Sequence, residues 1–197
     1  MPPCIAILGW GSLLWEGGAD FDRWHDDWRF DGPSLNLEFS RVSSSRLGAL
    51  TLVIDPKHGS STTVAWCLSK RPDPSDALAD LRCREGCLIK SITRLDVQTA
   101  TSSPQDAAIS EIASWAKAHR IDVVIWTALK PNFEDRVKRP FSVDEAIAYL
   151  QNLEIPAKVK AAEYVWRAPY FVRTNLRSAL ETEPWFSQVR PANPDHS

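Results

Sequence analysis

The chain has 197 residues, 44% of them hydrophobic and 24% charged, with a formal net charge of -2. That length fits one ordinary globular domain, and the apolar content is enough to bury a core, which excludes an intrinsically disordered chain. The basic residues are scattered singly or in short pairs, which excludes the concentrated positive footprint of a nucleic-acid binder or of a protein drawn to anionic membranes, and directs attention to small-molecule or protein partners.

The start of the chain, Met1 to Trp10, carries no basic segment and only a short apolar run, so a cytoplasmic protein without a membrane span is expected. Cys4 to Leu8 is that run, and it leads into Gly9-Trp10-Gly11-Ser12, the pattern of a buried strand feeding a tight turn. Phe21, Trp24 and Trp28 recur at helical spacing among Asp22, Arg23, Asp26 and Asp27, which predicts a short amphipathic helix or turn with its aromatic stripe in the core. Leu35, Leu37 and Phe39 alternate with polar neighbours. Two further apolar or β-branched runs, 49–54 and 63–68, flank Asp55-Pro56-Lys57-His58-Gly59-Ser60, and the three together predict an antiparallel group with a turn near Gly59.

Asp73 followed by Pro74 reads as an N-cap and first helical residue, and Gly86 as the stop, which predicts a helix ending at Glu85. A strand over 89–99 is expected next. Ser103-Pro104-Gln105-Asp106 then opens a helix with Ile109, Ile112 and Ala116 on one face, and 122–127 reads as another buried strand. Ser142 and Glu145 form a capping box before Ile147, Leu150 and Leu153, 157–166 predicts a further helix that Pro169 breaks, and a last helix spans 174–180. The sum is one α+β domain over 1–187 built on a mixed sheet, followed by a polar tail, 188–197, expected to be disordered.

Cys4, Cys67, Cys83 and Cys87 sit in apolar or helical contexts without framework spacing and are expected as reduced, partly buried thiols. Cys83 and Cys87 lie one helical turn apart, but zinc takes four ligands and no His is near them in sequence, so neither a metal nor another cofactor is expected. The nine tryptophans, Trp66, Trp115 and Trp126 among them, read first as core.

Two features point to chemistry. Gly9 and Gly11 flank one residue after a buried strand, so the turn they form can expose several N–H groups together as a cradle for a carboxylate or oxyanion, or can serve a tight turn alone. A dinucleotide fingerprint needs a third glycine where Leu14 stands, and a nucleophile elbow needs Gly-x-Ser-x-Gly, which Ser12 does not fit. The second feature is Glu85, which shares a helix face with Leu78 and Leu81. Partial burial and the negative end of the helix dipole would both raise its pKa, as a general acid/base near neutral pH requires, whereas pairing with Arg82 would make it an ordinary ion pair.

The combination of Ile7-Leu8-Gly9-Trp10-Gly11-Ser12-Leu13-Leu14-Trp15 with Leu81-Arg82-Cys83-Arg84-Glu85-Gly86 resembles the γ-glutamylcyclotransferase superfamily. There a Tyr-Gly-Ser-Leu or Tyr-Gly-Ser-Asn turn and a Glu-Gly helix ending carry the site. The longer form looks most like the ChaC-like branch, which cleaves glutathione, and Ser40-Arg41-Val42-Ser43 with the strands after it resembles the middle of that branch. The likeness runs from about residue 4 to about residue 90. It implies a small mixed β-barrel or strongly curved mixed sheet flanked by helices, here with extra C-terminal helices. It also implies cyclisation of a γ-glutamyl group to 5-oxoproline, Glu85 as proton shuttle, and Gly9, Trp10, Gly11, Ser12 and Leu13 as substrate-binding backbone. Arg41 is the candidate partner of a substrate carboxylate. Trp10 replaces the family's tyrosine, and the branch's basic, glycine-rich insertion is reduced to Ser43-Ser44-Ser45-Arg46. A binding module that keeps the pocket without ring closure is the alternative from another class.

Overall fold

The apolar run near the start forms β1 (Ile5–Gly9), buried along its whole length because strands pair with it on both sides. In the computed structural model, which describes residues 2–99 and 107–189, the chain divides into two units: Met1–Leu35 with Thr63–Leu129, and Asn36–Thr62 with Lys130–Ser197.

The first unit holds a four-stranded mixed sheet. β5 (Ala65–Leu68) runs antiparallel to β1, β7 (Val123–Thr127) parallel to it, and β6 (Ile92–Asp96) antiparallel to β7. Because strand side chains alternate between faces, Ile5 and Ile7 point the same way, and they join Cys67, Ile92, Val123 and Ile125 in one buried cluster. Two helices close over that cluster: α1 (Ala19–Arg23) through Phe21, and α2 (Pro74–Glu85) through Ala77 and Leu81. α3 (Ala107–Ala118) packs against β7 and buries Ile112 and Ala116, as its spacing predicts, while the proposed start of that helix at 103–106 lies outside the described residues.

The helical spacing of Phe21, Trp24 and Trp28 misleads. α1 stops at Arg23, and the chain then runs extended beside β5, with Asp26 N–H donating to Leu68 O and Arg29 exchanging both main-chain hydrogen bonds with Trp66. The outer edge of β5 needs main-chain partners, and this segment supplies them. Trp28 still packs on the core cluster, whereas Trp24 lies under the Arg71 guanidinium, 3.7 Å from its ring centre. The apolar run 63–68 is likewise divided: β4 (Ser60–Thr63) and β5 belong to different sheets and part at Val64, whose N–H donates to Pro33 O.

The second unit holds a three-stranded sheet in the order β3-β2-β4, in which β2 (Ser34–Val42) and β3 (Leu50–Ile54) are antiparallel. Glu38 faces Val53 but Arg41 faces Thr51, so β2 carries one extra residue between them, a β-bulge. The expected alternation fails there, and Glu38 and Ser40 are buried alongside Phe39. Five helices follow among the described residues: α4 (Phe133–Val137), α5 (Val143–Gln151), α6 (Ile155–Arg167), α7 (Asn175–Leu180) and α8 (Pro184–Gln188). Ser142 caps α5 by accepting from Glu145 N–H at 3.2 Å, and Thr174 caps α7. α4 and α8 were not expected, and the tail 190–197 lies outside the described residues.

The protein is thus α+β, with a mixed sheet and an antiparallel pairing flanked by helices. No closed barrel forms among the described residues; the mixed sheet ends at β5 and β6. No described helix is long and apolar enough to cross a membrane. The four cysteines are free, and Cys83 is exposed rather than partly buried, because it lies on the side of α2 turned away from Leu81.

Candidate active site

α2 forms where its end signals predict. The Asp73 carboxylate accepts from Ser75 N–H at 2.7 Å, Pro74 occupies the first turn, and Gly86 closes the helix in the left-handed region with φ 57°, which a residue lacking Cβ adopts without strain. Ala77 and Leu81 are fully buried and Leu78 packs on the same cluster. Glu85 sits one turn beyond Leu81 on that side of the helix, its side chain 17% exposed. It therefore stands where a buried helix face meets solvent.

The turn after β1 comes from the other end of the sequence. Trp10 is buried, at 6% exposure, and Ser12–Leu14 form a single 3-10 turn in which Leu14 N–H donates to Gly11 O at 2.9 Å and Glu16 N–H to Ser12 O at 2.8 Å. Gly11 precedes this turn with φ -123° and no side chain caps it; the leading N–H groups of a helical turn have no carbonyl one turn earlier to receive them. Leu13 directs its side chain into the core cluster. Neither glycine has a positive φ, so the left-handed freedom of glycine is not what the turn uses. Gly9 answers a different need. A Cβ there would lie 2.9 Å from Cη2 of Trp28 and 3.2 Å from Cδ2 of Leu14, so the indole lies across the bare main chain.

The residue that joins the two features is Arg84. Its Nη1 pairs with Glu85 Oε1 at 2.7 Å, while its Nη2 donates to Ser12 O at 2.7 Å and also to Glu16 O. Only 8% of the Arg84 side chain is exposed, and a guanidinium with this many directed donors can span a carboxylate and two carbonyls at once. The pairing alternative for Glu85 had been Arg82, but Arg82 is exposed and it is the next arginine along that makes the contact. The signal available in the sequence was only a basic residue beside Glu85. Glu85 is also close enough to Cys87 that its charge, after burial, pushes that thiol above its ordinary value.

No protein-family model, curated protein or solved structure matches this chain. The site is therefore read from its own residues.

Arg41 belongs to the second unit. Its Nη1 donates to Lys130 O at 2.8 Å, and burial, then the charge of Arg136, hold its guanidinium below the usual arginine range. In chemical terms the first unit presents a carboxylate with a fixed counter-charge beside the main chain of a turn that no side chain caps. Proton transfer next to an oxyanion needs both kinds of group in one place.

Proposed function

We propose that the protein cyclises a γ-glutamyl group to 5-oxoproline and releases an amine, amino acid or dipeptide. The observation that carries this reading is the Arg84 bridge: one guanidinium holds the Glu85 carboxylate beside the main chain of Ser12, so the proton-transfer group and the turn share a place. In the reaction the substrate's α-amine attacks its own γ-carbonyl carbon. A C–N bond forms to close the five-membered ring and the original γ-amide C–N bond breaks. Glu85 takes one proton from the α-ammonium to free the attacking amine and, after attack, a second from the ring nitrogen; both pass to the leaving nitrogen, which departs as an ammonium, so protons balance and nothing is oxidised or reduced. The turn Gly9 to Leu13 binds the substrate carboxylate or the developing oxyanion, and positioning of the extended chain takes the place of covalent catalysis.

The γ-glutamylcyclotransferase-like arrangement, here as a curved mixed sheet with added C-terminal helices, goes with this reading, and the mixed order β5-β1-β7-β6 supports it. A cytoplasmic setting goes with it too, and the four free thiols support that. A second reading, a binding module for a γ-glutamyl or amino-acid ligand, draws on the same ion pair, because a carboxylate held by a guanidinium is a weaker base.

The test is release of 5-oxoproline from glutathione, γ-glutamyl amino acids and γ-glutamyl amines by wild type and by Glu85→Gln. The expected result is turnover of at least one compound that falls by about 10² to 10⁴ in the variant. Equal turnover in the two would remove Glu85 from the mechanism, and ligand binding without 5-oxoproline release would establish the binding module.

A further inference from the structure

In the second unit, Asn132 ties Arg136 to the strand end that carries Arg41, through Arg136 N–H to Asn132 O and Val42 N–H to Asn132 Oδ1, yet neither arginine has an acidic partner among the described residues. Arg71, Arg84, Arg94, Arg139, Arg173 and Arg177, by contrast, each pair with a carboxylate. Glu134 and Asp135 precede Arg136 in α4 but form no ion pair with it. Two cations brought together without a counter-charge repel each other, and an anion between them relieves that repulsion.

The backbone around them is built to hold this arrangement. The bulge in β2 falls immediately before Arg41, and a bulge re-aims the side chain that follows it. Beyond it, the Asn132 side chain takes the place of a ladder partner for Val42: Oδ1 accepts from Val42 N–H at 2.7 Å and Nδ2 donates to Val42 O at 3.2 Å. Asn132 N–H reaches Ser40 O at 3.3 Å, and Arg136 N–H donates to Asn132 O at 3.0 Å, so α4 hangs from the end of β2. Arg41 is pinned to Lys130 O and Arg136 to Ser44 Oγ. A guanidinium carries five N–H donors, so after these contacts each arginine retains donors for a ligand, and Ser44 Oγ, which accepts from Arg136, keeps its own O–H to donate.

We propose that Arg41, Arg136 and the Ser44 hydroxyl form a binding site for an oxyanion, the phosphate or carboxylate group of a small ligand. Guanidinium pairs with an added hydroxyl match the several acceptor oxygens of such groups. The site needs neither Glu85 nor ring closure, and it stands or falls apart from the proposed reaction.

The test is calorimetric titration of the full-length protein at low salt with inorganic phosphate and, separately, with glutarate. The comparison set is wild type, Arg41→Gln, Arg136→Gln, Glu85→Gln and the exposed control Arg167→Gln. Binding of either probe should weaken at least about tenfold in both Arg41→Gln and Arg136→Gln, the loss of one charge-assisted hydrogen bond. Glu85→Gln and Arg167→Gln should bind as wild type, and added salt should weaken binding. Response to phosphate alone, to glutarate alone or to both assigns the class of group the site takes. Arg136 is exposed, so its substitution leaves the fold intact, which an unchanged thermal midpoint checks. Binding of neither probe, or equal affinity in wild type and the two arginine variants, overturns the proposal.

Discussion

Arg84 of α2 donates through Nη2 to the main-chain oxygen of Ser12, 72 positions earlier in the chain, at 2.7 Å. The same guanidinium neutralises Glu85, so its removal has a structural and a chemical consequence. Arg84→Met should lower stability by about 1.5 to 3 kcal/mol, since it removes the charge-assisted hydrogen bonds to the largely buried Glu85 carboxylate and to the carbonyls of Ser12 and Glu16. Arg84→Lys should fall between, because a single ammonium cannot span all three acceptors. Urea unfolding of the two variants checks the order, and 5-oxoproline release should drop further than stability alone explains. Equal stability of Arg84→Met and wild type would contradict the bridge.

Two glycines should respond differently to alanine. At Gly9 the added Cβ meets the rim of the Trp28 ring at 2.9 and 3.0 Å, and that ring can shift only by disturbing the core it packs on, so Gly9→Ala should cost about 1 to 3 kcal/mol. At Gly59 the Cβ meets main-chain atoms of Asp55 and Asn36 at 2.5 and 2.6 Å, and main chain cannot rotate away. Gly59→Ala should therefore be the more damaging of the two, and thermal midpoints measured side by side will rank them.

Leu81→Ala should cost about 2 to 5 kcal/mol, because Leu81 is fully buried in the cluster that joins α2 to the sheet. Leu78→Ala, at a partly buried position on the same face, should cost less. A reversed order in chemical denaturation would mean that α2 packs with a different face inward.

Glu38 and Asp55, both buried in the second unit, should shift stability with pH in opposite directions. Burial, helped by the Asp55 charge, raises Glu38 above its ordinary 4.5 despite donors from Thr174, Phe39 and Leu176. Its contribution is therefore fully present below that ordinary value and is lost as pH rises through the folded value. Burial would raise Asp55 too, but Ser40, the N–H groups of His58 and Lys57 and the charge of His58 together hold it below its ordinary 3.8. That contribution is present above the ordinary value and lost as pH falls through the lower one. Glu38→Gln should accordingly gain on wild type as pH rises above the ordinary glutamate value, while the deficit of Asp55→Asn should shrink only in stronger acid. Parallel stability curves for Glu38→Gln and wild type would refute the first assignment.

Much of the first unit is legible in the sequence. The cap at Asp73, the stop at Gly86 and the unbroken apolar run of β1 are local signals, each set by residues within a few positions of one another. The buried faces of α2 and α3 followed from helical spacing in the same way. Spacing failed at Trp24 and Trp28, because the open edge of β5 recruited their main chain into extended structure, and it failed at Glu38 and Ser40, because a bulge shifts every later residue of β2 by one place.

For the candidate site, the sequence alone determined that a turn of small residues follows a buried strand and that Glu85 ends an amphipathic helix, since both are consequences of short-range pattern. Tertiary structure alone decided that Arg84, and not Arg82, holds Glu85 and reaches Ser12, that Trp28 is what Gly9 makes room for, and that Arg136 approaches Arg41. Apart from the neighbours Arg84 and Glu85, those relationships join residues separated in the chain, and sheet order, strand register and a single extra residue in β2 set which of them meet.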